Sequence, residues 1–203
     1  MKKYAVLHEP GDIVTLAGTR FVVLDVERRG SLPDSLFLLA LESVGASEFG
    51  SSNNYAESDL KKAVDKWLED MGKRGLDNAK LIPREIDLTT LDGSGCYGKL
   101  SVKAAPLTLD EAREYADIIP NAERWCWLAT GWSGPSKSDG DLALGVNSNG
   151  DWSRSYCSNS YGIRPALKAP SILFEDSEAG LDLSKIPTDD LLQEIHRRLA
   201  EKA

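Results

Sequence analysis

The stretch Gly131–Gly162, GWSGPSKSDGDLALGVNSNGDWSRSYCSNSYG, sets Trp132, Trp152, Tyr156 and Tyr161 among Ser, Gly, Asn and Asp. The segment 123–130, ERWCWLAT, leads into it, and 162–170, GIRPALKAP, closes it. Rigid amphipathic aromatics among small adaptable polar residues are the composition of a binding surface such as a paratope, not of a core or a disordered tail. Asn149-Gly150 is a strong hairpin signal, so Leu142–Val146 and Trp152–Ser158 are read as two strands joined at NSNG. Side chains alternate along a strand. Trp152, Arg154, Tyr156 and Ser158 therefore share one face, and Ser153, Ser155 and Cys157 the other. The first face would offer two aromatics and a cation, the residue types that dominate binding hot spots.

Upstream of this window, Ile13–Leu16 and Phe21–Val26 read as strands around a turn at Ala17-Gly18. Leu36–Val44 is a short apolar run of strand length. Ser58 is a good N-cap, and Leu60, Val64, Trp67, Leu68 and Met71 recur at helical spacing, so a helix follows until Gly72 and Gly75. A short strand is expected near Ile86 and Leu88. A second helix opens at Thr108, which forms a capping box with Glu111, and runs to Pro120. Trp125–Thr130 and Ile163–Leu167 complete the strands, the latter as the last of the domain. Beyond Pro170 the chain turns acidic, and 188–203 forms an amphipathic helix striped by Leu191, Leu192, Ile195 and Leu199. A helix this short does not stand alone in water, so that stripe is expected either to pack on the body of this chain or to form a homo-oligomer contact.

A net charge of −8 argues against nucleic-acid or anionic-membrane partners, which need a Lys/Arg excess. No apolar run approaches the roughly 20 residues of a membrane helix, and no signal core follows Lys2-Lys3. Three cysteines are an odd set and suggest free thiols in a reducing cytoplasm, with display on a phage particle or export equally compatible.

Three pieces together carry a family resemblance: N-Y-A-E-S-D-L at Asn54–Leu60, W-C-W-L at Trp125–Leu128, and G-I-R-P-A-L at Gly162–Leu167. Over roughly residues 10 to 168 the chain resembles a bacterial and phage domain related to the C-type-lectin and formylglycine-generating-enzyme folds. Many members of that group are variable proteins of diversity-generating retroelements. The resemblance implies an α+β, C-type-lectin-like fold with two helices and a small antiparallel sheet over 1–170; the C-terminal helical extension over 171–203 departs from members whose variable segment ends the chain and reads as an added oligomerisation or docking element. It also implies a mechanism of change: a reverse transcriptase copies a template repeat with errors at adenines, and the copy replaces the window. Adenine-rich codons then give Asn, Ser, Tyr, Asp, Gly, Arg and Cys, in which the window is dense.

The expected function is thus recognition of a protein or glycan on another cell or particle, with no catalysis, cofactor or metal. Arg154, Ser155, Tyr156, Ser158, Asn159 and Tyr161 are the leading variable positions, joined by Trp132, Ser133, Ser136, Ser138, Asp139 and Trp152. Trp125 and Trp127 fall on one strand face and read as core packing or as an aromatic floor. Arg164 reads as a structural tie through an ion pair or carbonyls, against an anchor for an acidic ligand. One alternative is a cysteine-oxidising enzyme of the formylglycine-generating type using Cys126 and Cys157. Another is a fixed structural component of a phage or surface. Asp139, Asp141, Asn147, Asn149 and Asp151 invite a calcium reading, but their spacing matches no EF-hand loop. His8 and His196 are isolated, and no P-loop, HExxH, GxSxG or CxxC pattern occurs.

Overall fold

A computed structural model describes residues 8–30, 32–174 and 192. In chain order it holds β1 (Ile13–Leu16), β2 (Thr19–Arg29), β3 (Leu32–Ala40), β4 (Ala46–Glu48), α1 (Asp59–Lys73), β5 (Arg84–Asp87), β6 (Lys99–Val102) and β7 (Ala104–Ala105). There follow α2 (Leu109–Glu114), β8 (Cys126–Gly131), β9 (Leu142–Val146), β10 (Trp152–Tyr156), β11 (Ser160–Gly162) and β12 (Ala166–Pro170). The architecture is α+β. The first sheet runs β1-β2-β3-β12-β7 and is antiparallel throughout. The second runs β10-β9-β8-β11-β4, antiparallel except where β11 meets β8. β5 and β6 form a separate hairpin.

One small sheet was expected, and among the described residues there are three. The reason lies at the closing motif. Gly162 ends β11 in the second sheet and Ala166 begins β12 in the first, so Ile163, Arg164 and Pro165 are not strand but the crossing between sheets. Pro165 has no N–H to give a ladder, while its carbonyl still accepts from the Ala40 N–H at 2.9 Å. Gly162 is fixed because a Cβ there would stand 2.8 Å from both the Cys126 Sγ and the Ser43 Oγ.

Both faces of the first sheet are covered, which explains why β2 is apolar on consecutive residues. Phe21 and Val23 enter a cluster with Leu60, Val64 and Met71 of α1. Val22 and Leu24 enter a second cluster with Leu109 and Ala112 of α2 and Leu128 and Leu144 of the second sheet. Each such fully buried side chain contributes about 1.5–3 kcal/mol relative to exposure.

Both helices begin where their caps predict. The Ser58 Oγ accepts from the Lys61 N–H at 2.9 Å. Thr108 and Glu111 exchange side-chain and backbone bonds as a capping box. Helix α1 closes in a Schellman motif, with Gly75 at φ +102° and Leu76 N–H bonded to the Met71 carbonyl at 3.1 Å. Helix α2 stops at Tyr115 rather than Pro120. The Tyr115 ring packs edge-on against Phe37 at 5.6 Å, and the chain continues in turns. β3 covers Leu32–Ala40, not Leu36–Val44. The packed body runs past Pro170 through a short 3-10 turn, Ser171–Phe174, where the Ser171 Oγ donates to the Pro33 carbonyl at 2.7 Å. The stripe Leu191, Leu192, Ile195 and Leu199 lies outside the described residues apart from Leu192, which is helical and exposed. Among the described residues no helix is long and apolar enough to cross a membrane.

Candidate recognition face

β10 is an edge strand, and both of its sides reach the surface. Its register with β9 pairs Trp152 with Val146, Arg154 with Leu144 and Tyr156 with Leu142, placing these three on the side of the sheet that faces α2. Trp152 is 40% and Tyr156 60% exposed. The hairpin that turns β9 into β10 is held by one side chain: the Asn147 Oδ1 accepts from the backbone N–H groups of Asn149 (2.8 Å) and Asp151 (3.0 Å). Gly150 occupies φ +88°, a conformation that suits glycine. Asn147, offered above as a calcium oxygen, is thus used as a turn cap. Among the described residues no group of three or more His, Cys, Asp or Glu side chains converges as a metal site.

Two cation–ring contacts organise this side. The Arg154 guanidinium sits 4.6 Å from the Trp132 ring centroid. The guanidinium of Arg113, from the last turn of α2, sits 5.6 Å from that of Trp152. Tyr156 extends the row at the end of the strand. On the opposite side Ser155 and Tyr161 share a hydroxyl hydrogen bond of 2.9 Å, and the Asn159 Nδ2 donates to the Ser155 Oγ at 2.8 Å. Tyr161 stacks on Trp125 at 5.4 Å and lies 4.7 Å from Trp127.

The expected positions therefore divide. Trp152, Arg154 and Tyr156 form one exposed array with Trp132. Ser155, Asn159 and Tyr161 form a second, hydrogen-bonded group behind the strand, with Tyr161 half-buried. Ser158 is exposed in the turn after β10. Ser136 and Ser138 are exposed and Asp139 half-buried in a turn whose Lys137 pairs with Asp92 at 2.6 Å. Ser133 is a correction: it is 3% exposed, because its carbonyl is captured by Asn53, and it lies beneath the surface rather than on it. Cys157 turns inward at the end of β10 and is buried.

Trp127 is core at 1% exposure, its indole N–H donating to the Ser47 carbonyl at 3.0 Å. Trp125 is half-buried and serves as the plate under Tyr161. Cys126 and Cys157 are both buried free thiols. Burial pushes the Cys126 thiol up to about 11 and the Cys157 thiol up to about 12, so neither supplies much thiolate near neutral pH.

Sequence reasoning missed Arg113 and Asn53. Arg113 reads locally as a cation at a helix C-terminus, and no short-range signal places α2 beside β10. Asn53 lies one residue before the N-Y-A-E-S-D-L segment and is 1% exposed. Its Nδ2 donates to the carbonyls of Ser133 (2.8 Å) and Leu142 (2.9 Å), and its Oδ1 accepts from the Tyr97 hydroxyl at 2.6 Å. It anchors both ends of the loop that carries Ser136, Ser138 and Asp139.

No protein-family model, curated protein or solved structure matches this chain.

Proposed function

We propose that the chain is a ligand-recognition protein with a C-type-lectin-like frame, whose exposed β10 face is diversified by a retroelement. The observation that carries this reading is the array of Arg154, Trp152 and Tyr156 on an edge strand with Trp132 and Arg113 packed against them, aromatic rings and guanidinium groups side by side. Large aromatics and Arg anchor interfaces because they bury much area with few rotatable bonds. Behind them the hairpin cap and the Asn53 anchor tie the strand to the body, so contact residues can change while the backbone keeps its place. The ligand is a protein or glycan on another cell or particle, and recognition is followed by no chemistry. A cysteine-oxidising role is less well supported, since both candidate thiols are buried and held protonated.

Sequencing the gene across related strains, with its flanking DNA, tests diversification. Substitutions are expected to concentrate at Arg154, Ser155, Tyr156, Ser158, Asn159 and Tyr161, beside a near-copy of the segment and a reverse-transcriptase gene. A uniform spread of substitutions overturns it. A glycan array probed with the wild-type chain and with Trp152→Ala tests recognition: signals that survive the substitution unchanged count against this face.

A further inference from the structure

Between the α2–Pro120 segment and the second sheet lies a cleft of about 270 Å³. Leu107, Ala112, Ile119, Leu128 and Val146 give it apolar walls, Asn121 and Asn149 contribute amides, and Arg164 lines it from the crossing between the sheets. Arg164 is 7% exposed. Its Nε donates to the Ala40 carbonyl at 3.0 Å and its Nη1 to the Pro120 carbonyl at 3.1 Å. Its Nη2 is buried with no protein partner. Both oxygens that Arg164 meets are neutral, and among the described residues no carboxylate lies within ion-pair distance of it.

The same molecule holds a second buried guanidinium, Arg84, whose Nε is likewise buried without a partner, so an orphaned N–H alone does not set Arg164 apart. Arg84 is 9% exposed, and it donates to the Ala105 and Pro106 carbonyls as Arg164 does to Ala40 and Pro120. Arg84, however, also pairs with Glu111. A buried charge without a counter-charge is costly, and an orphaned donor adds to the cost. Carbonyl contacts tie the crossing in place, which accounts for two of the five donors of Arg164. They leave its Nη2 unanswered beside an apolar cleft, and the Glu42 carboxylate, itself paired with Arg20, acts on its charge only from beyond ion-pair distance.

We infer that this cleft binds a small organic carboxylate, with its apolar body against Leu107, Ile119 and Val146 and its carboxylate on Arg164. An apolar pocket with a few convergent polar groups is the usual form of a small-molecule site. A guanidinium matches a carboxylate in charge and in planar geometry. Trp152 also lines the cleft, so an occupant reaches the base of the exposed array, but the site stands without any role for that array.

The test is a titration of the full chain with 3-phenylpropionate, followed by amide chemical shifts, with 3-phenylpropanol as the uncharged comparison. The acid is expected to give saturable shifts at Arg164, Val146 and Ile119 with a Kd below about 1 mM, and the alcohol to bind at least about tenfold more weakly. Ala116→Trp, placed at an exposed position on the rim, is expected to abolish binding, and Arg164→Met to erase the preference for the acid. If Arg164→Met does not fold, the acid–alcohol comparison and Ala116→Trp decide. Equal binding of acid and alcohol, no saturable shift, or undiminished binding in Ala116→Trp overturns the inference. Tyr156→Ala is expected to leave the titration unchanged. Loss in that variant would move the ligand to the exposed array and overturn the cleft assignment, whereas failure of the array to recognise a glycan or protein leaves this site untouched.

Discussion

The guanidinium of Arg154 lies 4.6 Å from the ring centroid of Trp132, joining the middle of β10 to the residue just past the end of β8. Both side chains retain solvent contact, so the pair is an exposed cation–π contact worth about 0.5–1 kcal/mol. A double-mutant cycle of Arg154→Met and Trp132→Leu in urea should return a coupling of that size. Trp152→Ala and Tyr156→Ala should each cost no more than about 1 kcal/mol, while Trp127→Ala, in the core, should cost about 3–5 kcal/mol. Equal costs for Tyr156 and Trp127 would mean that β10 is frame and not a replaceable face.

Asn53 tests whether the window is anchored from outside itself. Its amide donors and carbonyl oxygen are all partnered while it is almost fully buried. Asn53→Leu leaves the Ser133 carbonyl and the Tyr97 hydroxyl without partners and the Leu142 carbonyl with only the Trp132 N–H, and each orphaned group costs about 1–3 kcal/mol. A loss of about 3 kcal/mol or more is expected in urea unfolding, with faster amide exchange across 133–142. Tyr97→Phe orphans only the Asn53 Oδ1 and should cost about 1–3 kcal/mol, less than Asn53→Leu. Native exchange rates in Asn53→Leu would show that the loop holds itself.

What was legible in the sequence is what is local. Ser58, Thr108 and Glu111 mark helix starts because a cap is satisfied within three residues, and Asn149-Gly150 marks a hairpin because the turn needs a positive φ. The two faces of β10 follow from alternation alone. The crossing at Ile163–Pro165 was not legible, since GIRPAL is apolar enough to read as a strand and only the positions of β3 and β8 show that it changes sheets. Nor were Asn53, which acts across 80 and 89 residues, and Arg113, whose meeting with Trp152 depends on how α2 docks. Ser133 was misplaced because a serine carries no sign of which groups will capture its carbonyl.

Ala17 offers a stabilising change at a turn. It lies at φ +46°, followed by Gly18 at φ +74°, in the two-residue loop between β1 and β2. Such loops favour Asn-Gly, and a non-glycine residue with a Cβ and no local hydrogen bond is disfavoured there by about 1 kcal/mol. Ala17→Asn should raise stability by about 0.5–1 kcal/mol in urea without moving the register Leu16–Thr19. A stability loss would show that the turn relaxes away from the left-handed region.

The thiols make a pH prediction with a definite sign. Cys126 and Cys157 are 4% and 2% exposed, and burial raises both from an ordinary value of 9.0, to about 11 and about 12. Below pH 9 both states carry the proton and the thiols add no pH dependence. Above pH 9 the unfolded chain releases protons that the folded chain keeps, so stability falls until the folded values are reached, by roughly 1.4 kcal/mol per pH unit for each thiol. Cys126→Ala and Cys157→Ala should each flatten that alkaline slope between pH 9 and about 11, measured by urea unfolding at successive pH values. Iodoacetamide near neutral pH should label the exposed Cys96 alone in the folded chain, and all three after denaturation. Rapid labelling of Cys157 in the native state would place that thiol at the surface of the window and reopen a chemical role for it.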